Sequence, residues 1–309
     1  MSVRSRTSVG RSESHTTGYL LLFALGLCWG VNWPAMKLAV TVMPIWDFRA
    51  ACLTFGGLVT LGLARAHGSS LQVPRQELLP LFICACFNII GWQLLTALAL
   101  TLMDAGRASI LAFTMPLWAS ILSVFLLNER LDSYRILGLF LGLTGLAVLV
   151  VPDLRAIAAA PLGLLAILGA SVSWALGTVL MKRFTWSIST TALAGWQLLI
   201  AAVFVSSGAL LVNRQAAWAE NWSLPELLGT LYAITFAMAF GHWAWFRIVR
   251  IFPAPVAAIG TMLVPVVGVL SSGLLLGEAI GFVELLAMLL VTAGLFFVLV
   301  LPGLRSQLR

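Results

Sequence analysis

AGRASILAFTMPLWASILSVFLLNE, which is Ala105–Glu129, has a counterpart later in the chain, where Ala254–Glu278 reads APVAAIGTMLVPVVGVLSSGLLLGE. Each segment has a proline near its middle and a glutamate at its end. Three landmarks align at one offset of 149 residues: Pro116 with Pro265, Glu129 with Glu278, and Gly145 with Gly294. Landmarks at a fixed offset indicate that the chain contains an internal duplication.

A second spacing supports the duplication. The pattern Trp-x6-Met-Lys occurs at Trp29–Lys37 and again at Trp174–Lys182, at an offset of 145 residues. The copies differ inside this pattern, because Gly177 stands where the first copy has Asn32. A substrate site built on this segment is therefore predicted to be asymmetric.

The composition requires a lipid environment. Of the 309 residues, 61% are hydrophobic and 9% are charged, and the mean hydropathy is +1.03. A soluble domain carries about 25% charged residues, so this chain has too few to cover a surface in water. The net charge of +7 is dispersed over short loops, which is typical of membrane topology and argues against a nucleic-acid partner.

Ten windows without Asp, Glu, Lys or Arg are long enough, or nearly so, for membrane-crossing helices, which need about 20 residues. The window 50–64 is short, so its helix is expected to begin near Trp46, with Arg49 facing inward or snorkelling to the interface. The short connections exclude a soluble catalytic domain. The windows are 14–36, 50–64, 78–103, 108–128, 136–152, 156–181, 184–213, 227–246, 251–277 and 285–304.

Basic residues predict the orientation. With the N-terminus in the cytoplasm, 13 of the 18 Lys and Arg residues fall inside and 5 outside, so both termini are predicted to be cytoplasmic. Each copy holds five spans, an odd number, so the two copies must cross the membrane in opposite directions. The expected units are a disordered cytoplasmic tail at 1–17, a first repeat at 18–152, a second, inverted repeat at 153–302 and a cytoplasmic tail at 303–309.

The predicted fold is thus an all-α integral membrane protein, with ten transmembrane helices in two inverted five-helix repeats around a central cavity. Inverted repeats are typical of secondary transporters, whose substrate site lies near the membrane midplane. With ten spans, one chain is able to enclose a pathway by itself, so a functional monomer is expected.

With these features the chain resembles the drug/metabolite transporter superfamily, in particular its EamA-type members. The resemblance covers about residues 18–302 and implies a secondary exporter of small amphipathic metabolites in the bacterial inner membrane. Its many intramembrane tryptophans resemble those of aromatic amino acid exporters, so amino acids, aromatic or other neutral ones, are the expected substrates. The resemblance rests on WGVNWPAMK (Trp29–Lys37), Pro116-x12-Glu129-x15-Gly145 and the copy Pro265-x12-Glu278-x15-Gly294.

One departure limits what the resemblance implies. The second copy has Ala175-Leu176 where the first has Gly30-Val31. A role for Gly30 in close helix packing is therefore not carried over to the second copy.

Deep polar side chains are costly in a membrane and mark candidate sites. Asn32, Gln93 and Gln197 are the amides expected to contact substrate. Gln93 and Gln197 each follow a tryptophan, and an amide beside an indole offers hydrogen bonds next to a flat apolar face. That combination suits a zwitterion with an aromatic or aliphatic side chain. The alternative is that these amides only join helices.

The tryptophans divide into two groups. Those expected to anchor span ends at the membrane interface are Trp46, Trp186, Trp218, Trp222 and Trp245. The deeper ones either line the substrate cavity or pack against protein and lipid: Trp29, Trp33, Trp92, Trp118, Trp174, Trp196 and Trp243.

His242 is the only deep side chain that titrates near neutral pH. It either binds substrate or a coupling proton, or it is a neutral core histidine. Lys37 and Arg49 either attract an anionic group at the outer mouth, or snorkel or pair with an acid such as Asp47. Pro116 and Pro265 are predicted to kink their spans, as gate hinges or as static packing.

No catalytic residue, metal or cofactor is expected. The four cysteines lie in apolar runs without metal-ligand spacing, and no G-x4-G-K-[ST] loop for ATP occurs. A multidrug or organic cation exporter, the alternative function, would need a deep carboxylate. An intramembrane enzyme would need paired carboxylates or a Ser–His pair at depth, and the duplication argues against an enzyme or a channel. The expected partners are a small-molecule substrate and the lipid bilayer.

Overall fold

The computed structural model describes residues 15–102, 108, 111–151, 160–212, 219–277 and 280–301. Within these ranges every regular element is a helix. The predicted tail 303–309, most of the tail 1–17, Trp218 and Glu278 lie outside the described residues.

Eight helices in the described ranges are long and apolar enough to cross a membrane, and α4 and α5 are shorter apolar helices. The start of α2 confirms the expectation that its helix begins near Trp46. In chain order the helices are α1 His15–Ala39, α2 Ile45–Ala66, α3 Arg75–Leu102, α4 Met115–Leu127, α5 Ser133–Val150, α6 Pro161–Arg183, α7 Thr190–Val212, α8 Leu224–Ile251, α9 Ala254–Leu276 and α10 Phe282–Val300.

Helix ends carry the polar groups that the helix interiors lack. The Asp132 carboxylate accepts a hydrogen bond from the backbone N–H of Arg135 at 2.9 Å and caps α5. Ser223 and Glu226 form a capping box at the start of α8. Between such caps each helix satisfies its backbone hydrogen bonds internally, which a lipid environment requires.

The outward surface is apolar. Leu274 is 86% exposed, Phe282 78% and Phe125 77%. A water-soluble monomer seldom exposes contiguous apolar surface on this scale, whereas lipid tails solvate it without cost. The exposed apolar side chains therefore support insertion of the helices in a bilayer.

Helix packing surrounds a central space. The closest pairs are α2 with α7, α5 with α10, and α1 with α9, while α6 packs against α3 and α4 and α8 packs against α1. Helices α3 and α8 each contain a π-helical segment, at Cys86–Gly91 and Ala233–Phe240. A π-helical turn holds extra residues and often occurs at functional sites.

Glycine allows the closest approach between α6 and α3. A Cβ atom on Gly177 would lie 2.4 Å from the backbone nitrogen of Asn88, inside the π-helical segment of α3. Only a residue without a side chain fits there. This contact is a physical reason why the second copy has glycine at the position where the first copy has Asn32.

The two spans predicted to kink at Pro116 and Pro265 are each broken just before the proline. The chain turns at residues 113–114 and again at 261–262, and each proline lies in the first turn of the segment that follows. The first N–H groups of a helix have no intrahelical acceptor, so proline costs no hydrogen bond there. A hinge role for the two breaks remains a prediction.

Candidate functional site: an aromatic cavity

A cavity of about 170 Å³ lies among α1, α2, α3, α6 and α8, and Met115 of α4 and Val264 of α9 also line it. This volume is many times the ~10–15 Å³ that one water molecule requires. Seven of the residues expected to bind substrate line the cavity: Trp29, Asn32, Trp33, Trp92, Gln93, Trp174 and His242.

Tryptophan rings form one wall of the cavity. The ring centroids of Trp92 and Trp174 are 6.4 Å apart, and the Trp29 indole N–H donates to Ala237 O at 3.0 Å. Trp245 lies behind this wall, with centroids 4.4 Å from Trp174 and 6.1 Å from Trp29. The wall offers flat apolar faces held in fixed orientations.

The expectation that Trp245 anchors α8 at the membrane interface is wrong, because its side chain is 0% exposed. It packs between Trp29 and Trp174, the two tryptophans that the repeat makes equivalent. Its position near charged residues along the chain suggested a helix end, but its face of α8 points into the protein.

Arg49 is the cation of the cavity. It is 7% exposed, so the alternative that it snorkels to the interface is wrong. Its Nη1 donates to Gln93 O at 2.7 Å, Gln93 Oε1 at 2.8 Å and Thr96 Oγ1 at 2.6 Å. All three acceptors are uncharged, and they hold the guanidinium of α2 against α3.

Two asparagines bring unused polar atoms to the cavity. Asn32 Oδ1 and Asn88 Nδ2 are buried and have no hydrogen-bond partner within the described part of the chain, and both side chains line the cavity. A buried amide normally has its partners. Two residues of the cavity lining thus carry buried amide atoms, one acceptor and one donor, without a partner among the described residues.

His242 is fixed by its own helix. Its Nδ1 donates to Met238 O at 3.1 Å, and its ring meets the edge of Trp29 with centroids 5.7 Å apart. A carbonyl can only accept, so Nδ1 carries the proton and Nε2 is the nitrogen left to accept a hydrogen bond or a proton. A substrate, a proton and a satisfied core position all remain compatible with this geometry.

Three predicted residues lie away from the cavity lining. The Trp196 indole N–H donates to Leu71 O at 2.9 Å, and the Trp243 ring packs on Phe240 and under the Arg247 guanidinium, 5.0 Å from its Cζ. Gln197 is completely buried in α7, and its amide has no partner among the described residues.

Sequence reasoning left open whether Arg49 faces inward, snorkels to the interface or attracts an anion at the outer mouth, and it did not select Asn88 or Thr96 for the site, although both were recognisable as deep polar residues. The available signal was the shortness of the window 50–64, which required Arg49 to be inside the helix or at its end. Hydropathy alone does not say toward which side a charged residue points.

The described residues contain no group of three His, Cys, Asp or Glu side chains that could hold a metal ion. Cys28, Cys52 and Cys84 are buried free thiols, in agreement with their apolar surroundings in the sequence. The chemistry that the cavity offers is binding by ring faces, amides and one guanidinium.

These features define a multi-pass membrane protein with an amphipathic cavity among its helices. The model of the EamA-like transporter family matches the chain twice, at residues 16–151 and 161–300. The chain belongs to the EamA-like transporter family, as its sequence motifs indicated. It is therefore a transporter and not an enzyme.

Relatives of known name agree with this assignment. The chain is 30% identical to the uncharacterized transporter YvbV of Bacillus subtilis (strain 168), over 90% of each chain. It is 27% identical to the "Probable amino-acid metabolite efflux pump" of Salmonella typhimurium (strain LT2), over 92% of this chain and 94% of the other. It is also 29% identical to the "Aromatic amino acid exporter YddG" of Ancylobacter novellus, over 55% of this chain and 61% of the other.

A crystal structure of another protein shares the fold. Its TM-score with this chain is 0.78 at 22% sequence identity, and the match covers 95% of this chain and 100% of the other.

Proposed function

We propose that the protein is a secondary transporter that exports small amphipathic metabolites, above all aromatic or other neutral amino acids, by alternating access. Two inverted five-helix repeats, approximately 18–152 and 153–302, move against each other around the cavity. One chain is the functional unit, in the bacterial inner membrane with both chain ends on the cytoplasmic side. The observation that carries the proposal is the cavity among the helices, with its tryptophan faces and its amides that have no partner among the described residues.

Helix packing supports the inverted repeat. If the chain holds two equivalent repeats, α1 corresponds to α6 and α4 corresponds to α9. Exchanging each helix for its equivalent turns the contact of α1 with α9 into a contact of α6 with α4, and both contacts occur. The same exchange relates the α1–α8 contact to the α6–α3 contact, and it relates the π-helical segment of α3 to that of α8; a third segment, Phe296–Val300 in α10, lies apart from this pair.

Individual residues follow the same exchange at the offset of 149 residues. A Cβ on Gly145 would lie 2.8 Å from Ala287 O, and a Cβ on Gly294 would lie 2.6 Å from Gly138 O. Gly145 corresponds to Gly294, and Gly138 to Ala287. These are equivalent close contacts between α5 and α10, and they support two copies of one packing unit.

A closed end supports alternating access. Lys182, at the end of α6, lies 3.7 Å from the Glu129 carboxylate. Glu129 accepts a hydrogen bond from the backbone N–H of Ala254, at the start of α9, at 3.0 Å. These contacts tie together the ends of three helices on the side predicted to be cytoplasmic, and they would have to open for substrate to enter from there.

Amino acids fit the cavity better than organic cations do. Its lining combines ring faces with amides and a guanidinium, and no Asp or Glu of the described residues lines it. A cation exporter would place an anion there. The printed names of two relatives, an amino-acid metabolite efflux pump and an aromatic amino acid exporter, support the same substrate class.

Proteoliposomes loaded with labelled phenylalanine test the proposal. We expect efflux well above that from protein-free liposomes, with competition by other aromatic or neutral amino acids but not by the cation tetraphenylphosphonium. Efflux no faster than the protein-free rate, across a panel of neutral amino acids, would overturn the substrate assignment.

A green fluorescent protein fused to the C-terminal end tests the proposed orientation. The fusion should fluoresce if that end is cytoplasmic, and a dark, intact fusion would contradict the proposed orientation.

A further inference from the structure

The charge balance of the cavity is incomplete. Among the described residues the cavity lining includes no Asp or Glu, and the hydrogen bonds of Arg49 there go to uncharged acceptors. A guanidinium stays protonated in proteins, so the cavity keeps one positive charge. Buried charges are normally paired, which makes this position unusual.

Among the described residues, neutral acceptors bind a single nitrogen of the guanidinium, Nη1. Gln93 and Thr96 bind Nη1 from one side, while the buried Nε has no hydrogen-bond partner in the described part of the chain. Asn88 adds a second unpartnered donor, Nδ2, to the same cavity. Donors without acceptors beside a positive charge suit an anionic oxygen ligand.

We propose that Arg49, with Asn88 beside it in the cavity lining, receives the carboxylate of the transported molecule. This inference rests on the proposed transport function and narrows its substrate class. The ligand must carry a free carboxylate and an apolar body that packs on Trp92 and Trp174. A free amino group is accommodated but is not what the site selects, and amines or amides without a carboxylate are excluded.

The geometry explains why a guanidinium serves this purpose. Arginine presents several N–H donors in a planar fork, so one nitrogen can be held by the protein while the others face a carboxylate. Gln93 and Thr96 bind only Nη1, so the guanidinium keeps further N–H groups to donate. Lysine, with a single nitrogen, would have to divide its donors between these acceptors and the substrate.

Calorimetric titration of the purified wild-type protein tests the inference without any transport step. The probes are 3-phenylpropionate, which has a carboxylate only, 2-phenylethylamine, which has an amine only, and phenylalanine and its amide. We expect 3-phenylpropionate and phenylalanine to bind about ten-fold or more tightly than the amine and the amide, since a charge-assisted hydrogen bond contributes about that factor. Equal affinities, or no binding of either carboxylate, would overturn the inference.

Variants of two arginines test whether the preference for carboxylates depends on Arg49. Arg49→Met should abolish the preference for carboxylates, and Arg49→Lys should keep part of it. Arg65→Met is the matched control, because Arg65 is exposed at the far end of the same helix; this variant should bind like the wild type. A folded Arg49→Met protein that still prefers 3-phenylpropionate would contradict the proposal. If that variant does not fold, the wild-type probe series and Arg49→Lys decide.

The two proposals fail in different ways. Arg49-dependent binding of 3-phenylpropionate without phenylalanine flux in liposomes would remove the export of neutral amino acids and keep the carboxylate site. Phenylalanine flux that phenylalaninamide inhibits as strongly as phenylalanine does would keep transport and remove the carboxylate site.

Discussion

The Trp92–Gln93 pair on α3 and the Trp196–Gln197 pair on α7 have the same sequence and opposite surroundings. Gln93 is 5% exposed, lines the cavity and accepts a hydrogen bond from Arg49 at 2.8 Å. Gln197 is 0% exposed, and neither atom of its amide has a partner within the described ranges. The same dipeptide is thus part of a polar network in one helix and an unsatisfied core position in the other.

Local helix geometry accompanies this difference. The π-helical segment Cys86–Gly91 immediately precedes Trp92, whereas α7 is one regular α-helix around Trp196. Extra residues in a π-helical turn rotate whatever follows them around the helix axis. In α3 the following pair faces the cavity, while in α7 the glutamine is completely buried and is absent from the cavity lining.

The largest effect is expected where α6 holds the π-helical segment in place. Gly177→Ala puts a Cβ 2.4 Å from the backbone nitrogen of Asn88, and no rotamer relieves a clash with backbone. We expect a loss of about 3 kcal/mol, at the upper end for overpacking, and loss of transport as Trp92 and Gln93 move. Thermal unfolding of the purified variant and phenylalanine efflux measure the two effects.

Gly169→Ala is the matched control in the same helix. Its new Cβ would meet only Leu95 Cδ1, at 3.4 Å, which is an ordinary contact with a flexible side chain. Unfolding temperatures that fall equally in both variants would show that the close contact with Asn88 does not make position 177 more sensitive than position 169 to an added side chain.

Much of the fold is predictable from the sequence, because membrane helices are recognised by their length and their lack of charged residues. The start of α2 was predicted from the shortness of the window 50–64, and the family from motifs such as Trp29–Lys37. The π-helical segments were not predicted. A π-helical turn in an apolar span changes neither composition nor length, so hydropathy contains no signal for it.

The site was predictable only in part, for a physical reason. A membrane helix is apolar on its lipid face and on its packed face, so periodicity does not tell a cavity wall from a core. Gln93 and Gln197 were therefore indistinguishable, and Trp245 was assigned to the interface although it is buried behind Trp174. Only the tertiary packing separates these positions.

The next prediction exchanges the two glutamines for methionine, an apolar side chain of similar length. Gln93→Met removes an acceptor of a buried guanidinium, which should cost roughly 2 kcal/mol and reduce phenylalanine efflux about ten-fold as Arg49 loses its fixed orientation. Gln197→Met removes an amide that has no partner, so stability should be unchanged or higher, and efflux should remain at the wild-type level.

Unfolding temperature and efflux rate, measured side by side on the two methionine variants, check this contrast. A drop in stability for Gln197→Met equal to that for Gln93→Met would show that the α7 amide is satisfied in the protein. The two pairs would then be alike in energy, and their difference would lie only in access to the cavity.

The smallest effect concerns the tryptophans of the two pairs. Trp196→Phe removes the hydrogen bond from the indole N–H to Leu71 O, in the connection between α2 and α3, and should cost about 1 kcal/mol while leaving efflux intact. Trp92→Phe should impair efflux and leave stability nearly unchanged, because the smaller ring leaves a gap in the cavity wall beside Trp174. The KM for phenylalanine should rise with little change in unfolding temperature. A higher KM for Trp196→Phe than for Trp92→Phe would place the substrate against α7, and the assignment of the cavity to α3 would then have to be given up.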